Sequence, residues 1–470
     1  MMLNLPSLFR QYALVVIVNL AILTTGMSLG WSSPMLVKLQ SPTETPLQTL
    51  VTDHEGSWIV SAGFLLSAIF NFPAGLLLDV IGRKYCILLA SLTKLCMALM
   101  LIFAKKVWLV ILSRTIMNTV DSVIMTIVPI YASEIANKEH RGALGTFLQL
   151  FCSLGVVISL SVGPFMSYNV FSIFFTSIIA VTTVPLFFLP DTPFYLYSKD
   201  RPDEAIKVLS LIRGSDIIVK QELEEYKVST ESKKNTDNTV LFKNKTFLKS
   251  LLLAVLLISG SQLVGFNAVS FYLQTILQST NTSVMPEVAS VIIGVIQLIG
   301  GLSATLVMRF FMRKTIMLTS LAGILLGMLG LGSFFQVRNS KANEFTGFMN
   351  YMPIISLILV IYSYSVGIGS LVWLVIAELF DGPGRALGVS ICVCFSSLII
   401  FLTTKYFALM TLAMGPAVTY WFFSSMCVLV FIVIVLFIPE TKGKTFNEIQ
   451  TELGEKTDIQ NTVKNVNIKT

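Results

Sequence analysis

The chain has 470 residues, 54% hydrophobic and 13% charged, with a mean hydropathy of +0.78 and a formal net charge of +7. Soluble domains carry about 25% charged residues, so this balance excludes an ordinary soluble enzyme or nucleic-acid-binding protein and leaves the membrane class. The positive charge then informs topology rather than a polyanionic partner.

The first apolar run, 11–32, follows only Arg10 and continues into "GWSSP" (30–34) without a small-residue cleavage site. It reads as a retained span, not a cleaved signal. Further apolar stretches fall at 57–79, 85–104, 107–131, 142–166 and 169–190, then at 247–278, 286–310, 315–335, 351–380, 384–408 and 415–438. Each meets the roughly 20 residues a helix needs to cross a bilayer. Backbone groups in lipid must bond internally, and the alternating pattern of a barrel is absent, so an all-α membrane protein is expected.

The polar stretch 191–246 divides the spans six and six, giving bundles at 1–190 and 247–438 and a tail at 439–470. Within it, "RPDEAIKVLSLIRGS" and "KQELEEYK" read as short amphipathic helices against the cytoplasmic face, and "STESKKNTDNT" as flexible linker. Arg83, Lys84, Lys138, Arg141, Arg313, Lys314 and Arg385 fall in loops on the same side as this stretch and the Lys-rich tail. The positive-inside rule makes that side, and both termini, cytoplasmic.

Asn281 opens an Asn-Thr-Ser acceptor in an outside loop and is a candidate glycan site. The six Cys lie in or beside spans, which implies no extracellular disulfide framework. His54 and His140 are placed in loops with no catalytic constellation, so no enzyme, cofactor or metal is expected.

The halves repeat one another. Glu134 and Arg141 are seven residues apart, as are Glu378 and Arg385 in "AELFDGPGRALG". Arg83-Lys84 follows the second span and Arg313-Lys314 the eighth, while "PDTP" (190–193) ends the sixth and "PETK" (439–442) ends the twelfth. Matched elements in the same order indicate a duplicated unit.

The segments "LLLDVIGRK", "PIYASEIANKEHRGALG", "PDTP", "SQLVGFNAVSFY", "AELFDGPGR" and "PETKGKTFNEI" together resemble the sugar porter family of the major facilitator superfamily. "GWSSP" is similar to the insect facilitated trehalose transporter-like members. The resemblance implies two pseudo-symmetric six-helix bundles, a cell-membrane location, membrane lipid and a small-molecule sugar as partners, and a functional monomer. It matches Gln149, Gln262, Asn267 and Trp373 to substrate-contacting positions, with Gln297 where the family often has Asn. Arg114 matches the fourth-helix Arg, and Tyr272 an aromatic of the outer gate. Gln262 and Asn267 are five apart and share a helix face only if the chain unwinds at "VGFN". Interhelical packing is the competing role for each of these polar residues.

Asp79, Arg83, Glu134, Arg141, Glu378, Arg385 and Glu440 then form a charge set at the cytoplasmic surface. Asp79 ends its helix at the negative dipole end and is better placed beside the N-terminus of the eleventh span. These charges are expected to pair across the halves when that side is shut, unless they serve only topology. Exposed pairs contribute about 0.2–1 kcal/mol each, so a handful biases two states without freezing them.

Several positions depart from the family pattern. "RFFMRK" (309–314) carries Arg309 and Met312 where an acid and a Gly are usual, which makes the second-half turn look eroded. Ser261 replaces the first Gln of a pair, Ser365 an acid, and "GSLVW" (369–373) lacks two helix-breaking prolines, which questions the flexibility of the tenth span. "SSLIIF" (396–401) stands where Asn and Trp are usual. Ser28 occupies the place of the acid found in proton-coupled relatives, which favours passive facilitation. Lys94 and Asp121 sit mid-span at matching depths, as a buried pair or a protonatable coupling site. Facilitated transport of trehalose or a hexose is thus the expected function, with a proton symporter using Asp121 or a transport-deficient sugar sensor as alternatives.

Overall fold

The computed structural model describes residues 6–137, 140–234, 242, 245–280, 284–340, 347–380, 382–444 and 448. Asn281 lies outside the described residues, as do the side chains of Asp79 and Arg141.

The first half comprises α1 (Ser7–Gln40), α2 (Asp53–Ile81), α3 (Arg83–Phe103), α4 (Val107–Ile135), α5 (Arg141–Val162) and α6 (Tyr168–Thr183). Short 3-10 turns extend α5 over Gly163–Phe165 and α6 over Val184–Phe188. Three short helices follow: α7 (Pro193–Ser198), α8 (Pro202–Arg213) and α9 (Asp216–Lys234). The second half is α10 (Lys245–Leu263), α11 (Phe266–Phe271), α12 (Leu273–Thr280), α13 (Pro286–Phe310), α14 (Arg313–Ser340), α15 (Met352–Val366), α16 (Ile368–Glu378), α17 (Gly382–Met414) and α18 (Pro416–Phe437).

Among the described residues, eleven helical stretches are long and apolar enough to cross a membrane. The 29-residue α2, whose side chains are only partly described, covers the expected span 57–79. Its start is fixed locally by a capping box. Thr52 Oγ1 accepts from the Glu55 N–H at 3.2 Å, and Glu55 Oε2 accepts from the Thr52 N–H at 3.0 Å.

Successive crossings alternate in direction, which defines a linker face, bearing α7–α9, and a far face opposite. Helix α8 docks on the start of α1: Arg10 Nη1 donates to the Leu211 carbonyl at 2.7 Å and Gln11 Nε2 to the Ile212 carbonyl at 2.9 Å. Arg213 ties α8 to α9 through Glu222 at 2.6 Å and to the end of α4 through the Ile135 carbonyl at 2.7 Å. Two loop expectations are corrected. Helix α9 runs on to Lys234, so the "STESKK" part of the expected linker is helical, while 235–239 lie outside the described residues. His54 sits in the first turn of α2, whereas His140 lies, as expected, in the turn just before α5.

Packing within the first half rests on the crossing of α1 and α5. A Cβ on Gly26 would stand 2.0 Å from the Cys152 carbonyl oxygen, and one on Gly155 2.0 Å from the Leu23 oxygen. Ser159 Oγ donates to the Met27 carbonyl at 2.7 Å across the same seam. Small residues give dispersion and hydrogen bonding the close approach that lipid cannot otherwise drive. One core fills the second half and takes in Leu36, Val60, Val156 and Leu160 of the first, so the halves share packing toward the far face.

Gly26→Leu should part α1 from α5 and cost roughly 1–3 kcal/mol or more, as overpacking does. Gly145, where an added Cβ meets nothing within 4 Å, supplies the control. Thermal unfolding of the two purified variants measures the contrast: the midpoint drops for Gly26→Leu and holds for Gly145→Ala.

Candidate functional site

Two helix breaks build the middle of the second half. After Leu263, Gly265 takes φ +87°, and a Cβ there would lie 2.5 Å from the Phe423 ring, so only glycine fits. The break brings Gln262 and Asn267 onto one face despite their five-residue spacing, and Asn267 Nδ2 donates to Gln262 Oε1 at 2.6 Å. Gln262 Nε2 in turn donates to Ser261 Oγ at 3.2 Å. Phe266 stacks on Tyr364 of α15 with ring centroids 3.7 Å apart, which walls the amide pair with aromatic surface.

The second break separates α15 from α16 at Gly367 (φ −114°, ψ −102°), without the prolines usual there. Ser320 of α14 substitutes for them. Its hydroxyl donates to the Ser363 carbonyl at 2.7 Å, which also accepts from the Gly367 N–H at 3.2 Å, and accepts from the Ile368 N–H at 3.0 Å, a donor the interrupted helix leaves open. The tenth crossing is therefore discontinuous by a different device from the one its sequence lacks. Downstream, Trp373 is 39% exposed.

Across the seam between α5 and α13, Gln149 is exposed, donates to Ser153 Oγ at 3.3 Å and faces Gly301. Gln297, one turn before Gly301 on α13, has a buried Oε1 with no hydrogen-bond partner among the described residues. Amide donors and acceptors beside an aromatic wall suit a neutral polyhydroxylated ligand. Each hydrogen bond contributes about 0.5–1.5 kcal/mol net, so a few reach the roughly −4 kcal/mol of millimolar affinity.

The linker-face charges form two matched clusters, each within its own half. Arg83 holds Glu134 through Nε at 3.2 Å and Nη2 at 3.0 Å. Arg313 holds Glu378 in the second half. Asp191 of "PDTP" accepts from the Lys84 N–H at 3.4 Å. Glu440 of "PETK" accepts from the Arg313 and Lys314 N–H groups at 3.2 and 3.0 Å. Each carboxylate thus caps the start of a helix, α3 or α14, where the dipole favours negative charge. The expected erosion of the second turn is corrected: with Arg309 and Met312 in place, the Arg–Glu pair and the cap still form. Arg385 is exposed, and among the described residues it pairs with no carboxylate.

Burial raises the Asp191 carboxyl above its usual range, against the Thr192 and Lys84 N–H donors and the Arg83 charge. Burial also acts upward on Glu440, but the N–H groups of Lys442, Lys314, Arg313 and Thr441 outweigh it and hold that carboxyl below its ordinary value.

Deeper in the first half, Lys94 Nζ reaches Asp121 Oδ1 at 2.5 Å and Thr24 Oγ1 at 3.1 Å, and Thr25 Oγ1 donates to the same carboxylate oxygen at 2.8 Å. Both charged residues are at most 4% exposed. Arg114 is also buried. It donates to the hydroxyl and carbonyl of Ser28, both at 3.0 Å, and lies 4.4 Å over the Trp31 ring. Ser28 therefore offers Arg114 a neutral hydroxyl.

At the far face the halves meet directly. The Gln274 N–H donates to Ser33 Oγ at 2.9 Å, and Phe64 stacks on Phe271 at 5.5 Å. Tyr272, buried next in sequence, donates to the Thr404 carbonyl at 3.2 Å within its own half. Lys405, within the expected span 384–408, lies inside α17, 6% exposed. Its ammonium donates to Ser57 Oγ at 2.8 Å and sits 3.9 Å from the Trp58 ring. The apolar run continuing past it to Met414 was the available signal. Asp191 and Arg313 were seen only as repeated motifs, and Ser320 carried no signal.

Two helical halves with interrupted helices, in contact at one face and bearing matched charge clusters at the other, have the architecture of a membrane transporter. The family model described as sugar (and other) transporter matches residues 14–453, and the chain belongs to that family. It is similar to the facilitated trehalose transporter Tret1 of Culex quinquefasciatus (27% identical over 461 residues, 97% of this chain and 88% of that one). The Polypedilum vanderplanki Tret1 is likewise 27% identical, over 463 residues, 98% of this chain and 91% of that one. Among solved structures it resembles the inward open xylose transporter XylE from E. coli, with TM-score 0.78 and 20% identity, covering 95% of this chain and 100% of that one. The partially occluded inward open XylE gives TM-score 0.77 and 19% identity over 93% of this chain and 99% of that one.

Because the folded Glu440 value is depressed, its stabilisation is complete above the ordinary carboxylate range, about pH 4.3, and fades as pH falls through the lower folded value. Glu440→Gln should therefore lower the thermal midpoint by a few degrees at pH 7. The gap from wild type should narrow as pH falls through the carboxylate range and close below the depressed folded value, as unfolding scans across acidic pH will show.

Proposed function

We propose that the protein is a passive sugar carrier of the cell membrane, taking trehalose or a hexose at the Gln262–Asn267 site by alternating access. The observation that carries this is the amide pair assembled at the Gly265 break against the Phe266–Tyr364 wall. Gln149, Gln297 and Trp373 complete the contact set. The bundles at 1–190 and 247–438 move as units about this site, with the linker face in the cytoplasm as the charge distribution requires. The state described is then shut outside.

The neutral Ser28 beside Arg114 supports passive carriage, and the sealed Lys94–Asp121 pair serves as a tie between α1, α3 and α4. Such a pair is costly to bury but still more costly to break by halves.

The gates act in opposition. Outside, Lys405 on Ser57 and Trp58 clasps the halves, a desolvated cation–π contact of about 2 kcal/mol. Inside, Glu134 and Glu378 are held by Arg83 and Arg313 in this state. Asp79, Arg141 and Arg385 supply the groups that engage across the halves when the inside shuts. Asn281 is a candidate glycan acceptor in an outer loop.

Oocytes expressing the chain should show trehalose or glucose counterflow of equal rate at pH 5.5 and 7.5, and Gln262→Ala should reduce it at least tenfold. Faster uptake at pH 5.5 would instead identify a proton symporter. Single-cysteine labelling separates the gates. Lys405→Met should increase reagent access from the far face, and Arg385→Ala access from the linker face. Unchanged labelling in both variants removes the gating roles.

A further inference from the structure

A polar cavity of about 350 Å³ opens at the far face, beside the contacts that join the halves there. Its walls come from both halves. Pro34, Val37, Lys38 and Glu44 belong to the end of α1 and the loop after it, with Pro164 from the turn after α5, while Gln274 and Glu287 belong to α12 and α13. We propose that this cavity is an outer binding site for a neutral polyhydroxylated ligand, formed only while the far face is shut. The identity of that ligand as the transported sugar rests on the proposed function above.

The wall chemistry fits that class. Glu287 offers a carboxylate that pairs with no cation among the described residues, a bidentate acceptor for neighbouring hydroxyls. Buried Gln274 uses its Oε1 to accept from Ser290 Oγ, which leaves the amide N–H groups as donors. Lys38, 3.0 Å from Glu44, supplies a charged donor whose charge is already balanced. Pro34, Pro164 and Val37 provide apolar surface for the C–H face of a ring. The volume lies near the lower end of the roughly 300–1,000 Å³ of small-molecule pockets.

The consequence follows from where the walls sit. The Gln274 N–H bond to Ser33 Oγ joins the two sides of the cavity and is also part of the gate. Opening the far face separates α12 from α1 and dismantles the site. A ligand that binds one state only shifts the equilibrium toward that state. Sugar lodged here therefore delays reopening, and a high outer concentration restrains its own import without occupying the central site.

The test is the initial rate of labelled trehalose uptake into oocytes, taken over a wide concentration range for wild type, Val37→Trp and Glu287→Gln. Wild type should rise, peak and fall at least twofold. Val37→Trp, which fills the cavity, and the near-isosteric Glu287→Gln should saturate without the fall and keep the wild-type slope at low concentration. Uptake that saturates in wild type without a descending limb overturns the outer site and leaves the carrier reading standing. A descending limb preserved in both variants does the same. Wild type that moves neither trehalose nor glucose overturns the carrier reading and the outer site together.

Discussion

Within hydrocarbon the backbone has no solvent to fall back on, and its N–H and C=O groups must find partners inside the protein. The described architecture follows from how this chain meets that demand. Unbroken helices satisfy most of the backbone. At two of the places where the ladder is interrupted, Gly265 and Gly367, neighbouring side chains enclose the break: the Phe423 ring packs against the first, and the Ser320 hydroxyl bonds across the second. The interruptions are therefore affordable only where protein surrounds them, and that is also where side-chain amides can be held facing a ligand.

The same rule governs the buried charges. Lys94 and Asp121 neutralise each other with Thr24 and Thr25 filling in, and Arg114 spreads its charge over Ser28 and the Trp31 face. Lys405 is the exception that joins the halves, since its hydroxyl and aromatic partners both come from α2. A cation satisfied only across an interface is a contact the protein can give up when that interface opens.

The two linker-face clusters show duplication at the level of geometry. Arg83 with Glu134 and Arg313 with Glu378 are the same arrangement, as are Asp191 over the start of α3 and Glu440 over the start of α14. The second copy has lost its usual acid and glycine upstream yet retains the pairing. Helix start and carboxylate cap define the geometry, and neither depends on the residues that changed.

Composition and periodicity alone determined the class of protein, the positions of the crossings and the twofold division, because hydrophobic length and the demand for internal hydrogen bonds leave few alternatives. The family motifs likewise marked Gln262, Asn267 and the repeated charges. Tertiary structure decided what each residue touches. Only the αL turn at Gly265 brings amides five apart into contact, only packing against α14 lets Ser320 bond across the break between α15 and α16, and only the meeting of α2 with α17 makes Lys405 an inter-bundle contact. Sequence spacing encodes local geometry, whereas a partner hundreds of residues away is chosen by how helices cross, and that crossing is set by shape, not by period.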